Sequence, residues 1–157
     1  MDSPRVMKYR MHQGLNFGVL VGMSKSPANA ILRLNDDVIE TEAMKLGSAA
    51  HCLILEGQEE FDTRYFVEPE KLDMRKKESK EKKAYWVDQN PDKTFIKISA
   101  GDTAYLMKTA FKNYSFTSEL LKSAQVEMPV YWKEEGVSCK GLVDGYNKDL
   151  RVGFDIK

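Results

Sequence analysis

Near the end of the chain Asp155 and Lys157 stand two residues apart in Val-Gly-Phe-Asp-Ile-Lys, and Asp144 precedes them in Gly-Leu-Val-Asp-Gly. A hard divalent cation such as Mg²⁺ takes oxygen ligands and keeps several waters. Asp144 and Asp155 can hold such an ion, with the Ile156 carbonyl beside them. The ion would polarise a phosphate and acidify a bound water. Lys157 would then sit where it can orient that water or stabilise charge building on the phosphate. Glu127 is a third acid within reach. His51 can add a nitrogen ligand, which would suit Mn²⁺ as well as Mg²⁺. Each signal has a plainer reading. An Asp-x-Lys tripeptide arises by chance, a single histidine on an apolar helix face is usually a satisfied core residue, and Glu127 alone can be a solvated strand acid.

The acids need strands to align them. From Gln125 the pattern has period two: Val126, Met128, Val130 and Trp132 take one face, and Gln125, Glu127, Pro129 and Tyr131 the other. Glu134-Glu135-Gly136 is a turn signal. On the returning strand Val137, Cys139, Gly141 and Val143 alternate with Ser138, Lys140, Leu142 and Asp144. Pairing Lys133 with Gly136 puts both apolar sets on one side. Glu127 then faces Leu142 and lies diagonal to Asp144, a separation of ~7–8 Å. In a last strand Val152, Phe154 and Ile156 point inward, and Arg151, Gly153, Asp155 and Lys157 take the other face.

His51 needs a helix. Thr41 to Gly57 is the clearest one, with Thr41 as cap and Gly57 as stop. Met44, Gly47, His51, Ile54 and Leu55 share a face, so His51 points inward, and Gly47 and Ala50 allow a close approach. Upstream, the first ~20 residues read as irregular; Ser26 then caps a helix with Pro27 at its first position. Phe61 to Val67 reads as a short extended piece and Lys71 to Asp88 as a charged helix ending near Asn90-Pro91. Thr94 to Ser99 reads as a strand. Ser99 and Asp102 form a capping box for a helix with an apolar stripe of Tyr105, Leu106, Thr109 and Phe111. A short helix covers Thr117 to Ala124.

Composition fits a soluble globular protein: 157 residues, 42% hydrophobic, 31% charged, with a formal net charge of zero. One domain with a real core is expected over the whole chain. No apolar run approaches the ~20 residues that span a bilayer, and no signal peptide is evident, so a cytoplasmic setting without membrane contact is expected. Cys52 and Cys139 lack metal-ligand spacing and read as small buried residues. Arg75, Lys76, Lys77, Lys80, Lys82 and Lys83 form a basic run with Glu78 and Glu81 interspersed. It is either a solvated helix face or a surface for phosphates.

Taken in order, Ser26-Pro27, Gly47 to His51, Glu127, Trp132, Lys140-Gly141, Asp144 and Asp155-Ile156-Lys157 resemble the nuclease domain of the exodeoxyribonuclease VIII (RecE-type) family, within the PD-(D/E)XK superfamily. The likeness runs over residues 20–157. It implies an α+β, restriction-endonuclease-like core, a mixed β-sheet flanked by helices. It implies a Mg²⁺- or Mn²⁺-dependent exonuclease of bacterial or phage origin. Such an enzyme acts on double-stranded DNA ends, degrading one strand from its 5′ end and leaving a 3′ single strand for recombination. By motif match His51, Asp144 and Asp155 are metal ligands, Lys157 is the catalytic lysine and Glu127 a helper near the metal. A homo-oligomeric ring around DNA and a single-strand annealing protein are the implied partners. Family domains continue beyond the Asp-x-Lys lysine with a helix bearing Gln and Tyr and with more strands. A fragment lacking the C-terminal part of the core is therefore expected. Three functional readings stay open: the exonuclease; a catalytically incomplete remnant that binds metal, DNA or a partner without cutting; and another nuclease of the superfamily, an endonuclease or a helicase-linked enzyme.

Overall fold

The structure, a computed structural model, describes residues 4–35 and 40–156. The architecture is α+β, as expected, and the chain divides into two compact units, one from Thr41 to Ser118 and one from the segments up to Glu40 and from Glu119 onward.

The discontinuous unit is built on an antiparallel sheet in the order β3 (Ala124–Glu134), β4 (Val137–Asn147), β5 (Val152–Phe154). The β3–β4 turn differs from the expected one. Glu134 pairs with Val137 around Glu135-Gly136, whose φ values of 48° and 83° are both left-handed. Two such residues make the primed turn whose twist suits a hairpin. Relative to a Lys133–Gly136 pairing the register moves by two, so every side chain keeps its face while its partner changes. Glu127 therefore lies across from Asp144, and Leu142 pairs with Pro129. On the apolar face Gly141 makes room for Val130 and Trp132; a Cβ there would meet Val130 Cγ2 at 3.1 Å.

The first residues of this unit, expected to be irregular, are helical, as α1 (Pro4–Met11) and α2 (Phe17–Lys25), and the expected helix follows as α3 (Pro27–Leu34). Asn16 starts α2 by accepting from Val19 N at 2.9 Å. Ser26 caps α3 with Pro27 in its first turn, as expected. What fixes α1 is remote in sequence. The Lys140 ammonium donates to the carbonyls of Tyr9, Arg10 and His12 at 3.1, 3.2 and 2.9 Å. A cation at a helix C-terminus satisfies the orphan carbonyls and favours the helix dipole. Leu15 also bridges β4, accepting from Lys140 N and donating to Ser138 O, both at 2.9 Å.

The continuous unit holds α4 (Glu42–His51), a π-helical turn (Cys52–Glu56), α5 (Gln58–Arg64), β1 (Tyr65–Val67), α6 (Lys77–Gln89), β2 (Thr94–Ile96) and α7 (Ile98–Asn113). Strands β1 and β2 pair in parallel, and α8 (Ser115–Lys122) leads the chain out of the unit. Thr41 caps α4 through Met44 N, and Gly57, at φ 99°, ends the helical run. The core gathers Ala49, Ala50, Cys52, Leu53, Phe61, Ile96 and Ala104. Several expectations are corrected here. Met44 is exposed, and no described atom outside the helix lies within 4 Å of a Cβ built at Gly47, whereas Ala50 and Ile54 are buried as expected, together with Ala49 and Leu53. Of Phe61 to Val67, expected to be extended, residues 61–64 belong to α5 and only Tyr65–Val67 form a strand. Helix α6 begins at Lys77 rather than Lys71. Helix α7 begins at Ile98 with no side-chain cap, so Ser99 and Asp102 form no capping box. Its proposed stripe does not form either, since Leu106 is 70% exposed. Helix α7 packs through Gly101 and Ala104 instead, and the close contact of Gly101 with Val67 leaves no room for a larger residue.

Both cysteines are buried and free, as read from the sequence. Among the described residues no helix is long and apolar enough to cross a membrane.

Candidate metal centre

Three acids occupy neighbouring positions on or next to the sheet of the discontinuous unit. Asp144 stands on the central strand β4. Glu127 lies across from it on β3, and Asp155 follows the last β5 pair, Gly145–Phe154. Extending that register by one residue sets Asp155 across from Asp144, and residues so placed have Cβ atoms ~5 Å apart. A direct contact fixes the juxtaposition: Asp144 Oδ2 accepts the backbone N–H of Ile156 at 2.7 Å. The middle residue of Asp-Ile-Lys is thus tied to the aspartate of the neighbouring strand. Asp155 is exposed and Asp144 half-buried.

Two local features hold this geometry. Gly145 follows Asp144, and any Cβ at that position would overlap the Phe154 ring. The absence of a side chain there lets β5 lie close, one residue before Asp155. At the far end of β4, Asn147 is 2% exposed and fully engaged. Its Nδ2 donates to Glu119 O and Leu120 O at 3.3 and 2.9 Å, and its Oδ1 accepts from Asp149 N and Leu150 N at 3.0 and 2.9 Å. This side chain shapes the β4–β5 turn and anchors it to α8, so it positions Asp155. The Asn-Lys-Asp-Leu-Arg turn composition was the available sequence signal.

Glu127 is unusual. Its φ is 51°, and the ladder runs from Val126–Gly145 to Met128–Val143 without a paired Glu127. One residue on each strand fills the gap, so nothing is inserted; the backbone of Glu127 is simply turned out of the pleat. Left-handed backbone costs a side-chain-bearing residue ~1–2 kcal/mol, and such outliers gather at functional sites.

The remaining candidates are placed as follows. His51 closes α4 at the start of the π-helical turn in the continuous unit and is half-buried. Lys157 lies outside the described residues. Trp132 stands near the hairpin tip, 47% exposed. Lys140 caps α1. The basic run lies in and before α6 and is partly neutralised within its own unit: Lys77 pairs with Glu81 at 3.7 Å, Lys82 with Glu70 at 3.0 Å and Lys83 with Glu68 at 3.1 Å. Arg75, Lys76 and Lys80 are exposed.

Among the described residues no three His, Cys, Asp or Glu side chains form a ready metal cluster. A hard cation that keeps several waters needs only one or two carboxylates, and Asp144 with Asp155 offers them. The all-oxygen donor set fits Mg²⁺ or Mn²⁺.

Comparison with curated proteins gives no match. The α+β architecture, the paired aspartates and the Asp-Ile-Lys segment accord with the family that the sequence does match. Over residues 17–157 the chain matches the PDDEXK-like domain of unknown function (DUF3799), and it belongs to that family.

Proposed function

We propose that this chain is a divalent-metal-dependent nuclease acting on double-stranded DNA ends, removing one strand in the 5′ to 3′ direction and leaving a 3′ single strand for recombination. Membership of a PDDEXK-like family supports the nuclease class. The finer reading rests on the likeness to exodeoxyribonuclease VIII. The observation that carries the proposal is the bond from Ile156 N–H to Asp144 Oδ2, which joins the two halves of the acidic motif.

In this reading Asp144 and Asp155 hold Mg²⁺ or Mn²⁺, and His51 is a further ligand on the sequence motif alone. The metal supplies Lewis-acid polarisation of a phosphate and an acidified water. Glu127, across from Asp144, accepts a hydrogen bond from a water and orients it. Lys157 places its ammonium against negative charge building on the phosphate. The new bond joins water oxygen to phosphorus, and the bond to the leaving ribose oxygen breaks, that oxygen taking a proton. A ring of copies and a single-strand annealing protein remain part of the proposal.

The test is degradation of 5′-phosphorylated linear duplex in Mg²⁺, with closed circular duplex as control. Loss of degradation in Asp155→Ala supports the reading. Undiminished degradation by that variant refutes it, and cleavage of the circle would assign an endonuclease instead.

A further inference from the structure

Besides the acids, the discontinuous unit carries a basic cavity. It has a volume of about 220 Å³ and is lined by Tyr9, Arg10, Asn16, Arg33 and Lys140, among others, with no carboxylate among the described residues that line it. From Ser3 to Asn35 the chain carries five Lys and Arg residues and no Asp or Glu, with Asp2 and Asp36-Asp37 flanking that stretch. Lys140 spends its ammonium on the carbonyls ending α1, so it braces the wall rather than waiting for a ligand. The guanidinium groups of Arg10 and Arg33 come from the last turns of α1 and α3. Among the described residues Arg33 makes no ion pair.

We infer that this cavity holds a phosphate group of the DNA strand, a few nucleotides from the one being cut. The inference rests on the nuclease reading and adds to it a second, metal-independent contact. Three arguments carry it. Guanidinium groups present planar forks of N–H donors that match phosphate oxygens. A volume of about 220 Å³ is below the ~300–1,000 Å³ of pockets for drug-sized ligands and suits one group of a larger ligand, with the rest of the polymer outside. Position completes the case. Lys140 and Asp144 are four residues apart on one face of β4, which at the strand rise is about 13 Å. The same face that presents the acids therefore leads to the basic cavity. The aromatic pair of His12 and Tyr131, with ring centroids 4.1 Å apart, lies beside Lys140 on this path, since Tyr131 pairs with Lys140.

The experiment measures binding of labelled duplex to the full chain in EDTA, where nothing is cut, across a salt series. Wild type is compared with Arg10→Gln, Arg33→Gln and Arg33→Lys, each first shown by thermal melting to be folded. Each phosphate contact contributes about one unit to the slope of log affinity against log salt. Arg33→Gln and Arg10→Gln are expected to weaken binding several-fold and lower that slope by about one, and Arg33→Lys to keep most of it. Equal losses on 5′-hydroxyl and 5′-phosphate ends support the internal phosphodiester, and a loss confined to 5′-phosphate ends overturns that position in favour of a terminal phosphate. Unchanged affinity and slope in both glutamine variants overturns the inference while leaving the nuclease reading intact. A wild-type chain that neither binds duplex in EDTA nor degrades it in Mg²⁺ overturns both.

Discussion

Glu127 separates stability from chemistry, because its backbone and its carboxylate make opposite demands. At φ 51° any residue with a Cβ carries a left-handed penalty of ~1–2 kcal/mol. Glycine escapes it but loses ~0.5–1 kcal/mol through the greater freedom of its unfolded chain. Glu127→Ala and Glu127→Gly both remove the carboxylate and whatever it touches, so the difference between them isolates the Cβ. Glu127→Gly is expected to be the more stable of the two by about 0.5–1 kcal/mol, which for a chain of this size is roughly 2–3 °C in Tm. Thermal melting followed by circular dichroism reads this. Both variants are expected to lose most duplex degradation in Mg²⁺, since neither has the carboxylate across from Asp144. Alanine proving as stable as glycine would show that the turned-out backbone is not strained there. Full activity in both would remove Glu127 from the site.

Other outcomes follow from neighbouring contacts. Asp144→Asn keeps an oxygen to accept Ile156 N–H but removes the charge, so the fold should persist while calorimetric Mn²⁺ affinity falls at least tenfold; retained affinity would place the metal elsewhere. Asn147→Ala leaves four polar partners in a buried site, and unmet buried groups cost ~1–3 kcal/mol each before water relieves some, so urea unfolding should show a loss of about 3 kcal/mol. Asn147→Asp should be no better, because a carboxylate cannot donate to the Glu119 and Leu120 carbonyls. Burial pushes the Cys52 thiol up to about 12, with the nearby Glu56 carboxylate adding to the effect. Between the ordinary thiol range and that value the unfolded chain binds fewer protons than the folded one, so stability falls as pH rises through this window. Cys52→Ala should flatten that alkaline loss in melting curves, and an equally steep loss in the variant would assign it to other groups.

The parts of the site that could be read in advance were those governed by period and local chemistry. Alternation assigns Glu127 and Asp144 to one face of a hairpin, and a register moved by two still sets the two positions across from each other because the strand period is itself two, although the Glu127 backbone leaves the pleat. Ser26-Pro27 and Thr41 act within their own helix turns, so their caps were legible too. The face of α7 was not, because its packing rests on small residues: Gly101 and Ala104 admit a close neighbour, whereas larger apolar residues such as Leu106 stay exposed. Periodicity weighted by hydrophobic size selects the wrong face in such a case.

Least legible in the sequence are the long-range contacts that hold this unit together. Lys140 reads as an alternating strand residue, yet its ammonium holds a helix more than a hundred residues earlier in the chain. Asn147 reads as a turn residue, yet its amide is the joint between β4, the β4–β5 turn and α8. Both are single polar side chains meeting several backbone groups that local sequence leaves unsatisfied, and such demands become visible only when distant segments are brought together. The acids are legible because their chemistry requires particular residue types. Lys140, which braces α1, and Asn147, which joins the β4–β5 turn to α8, satisfy backbone hydrogen bonds, a task several residue types perform, so their identity carries no signal until the geometry is known. For that reason the bond from Ile156 to Asp144 says more about this site than the Asp-x-Lys spacing does: it requires β4 and the segment after β5 to have met in one register.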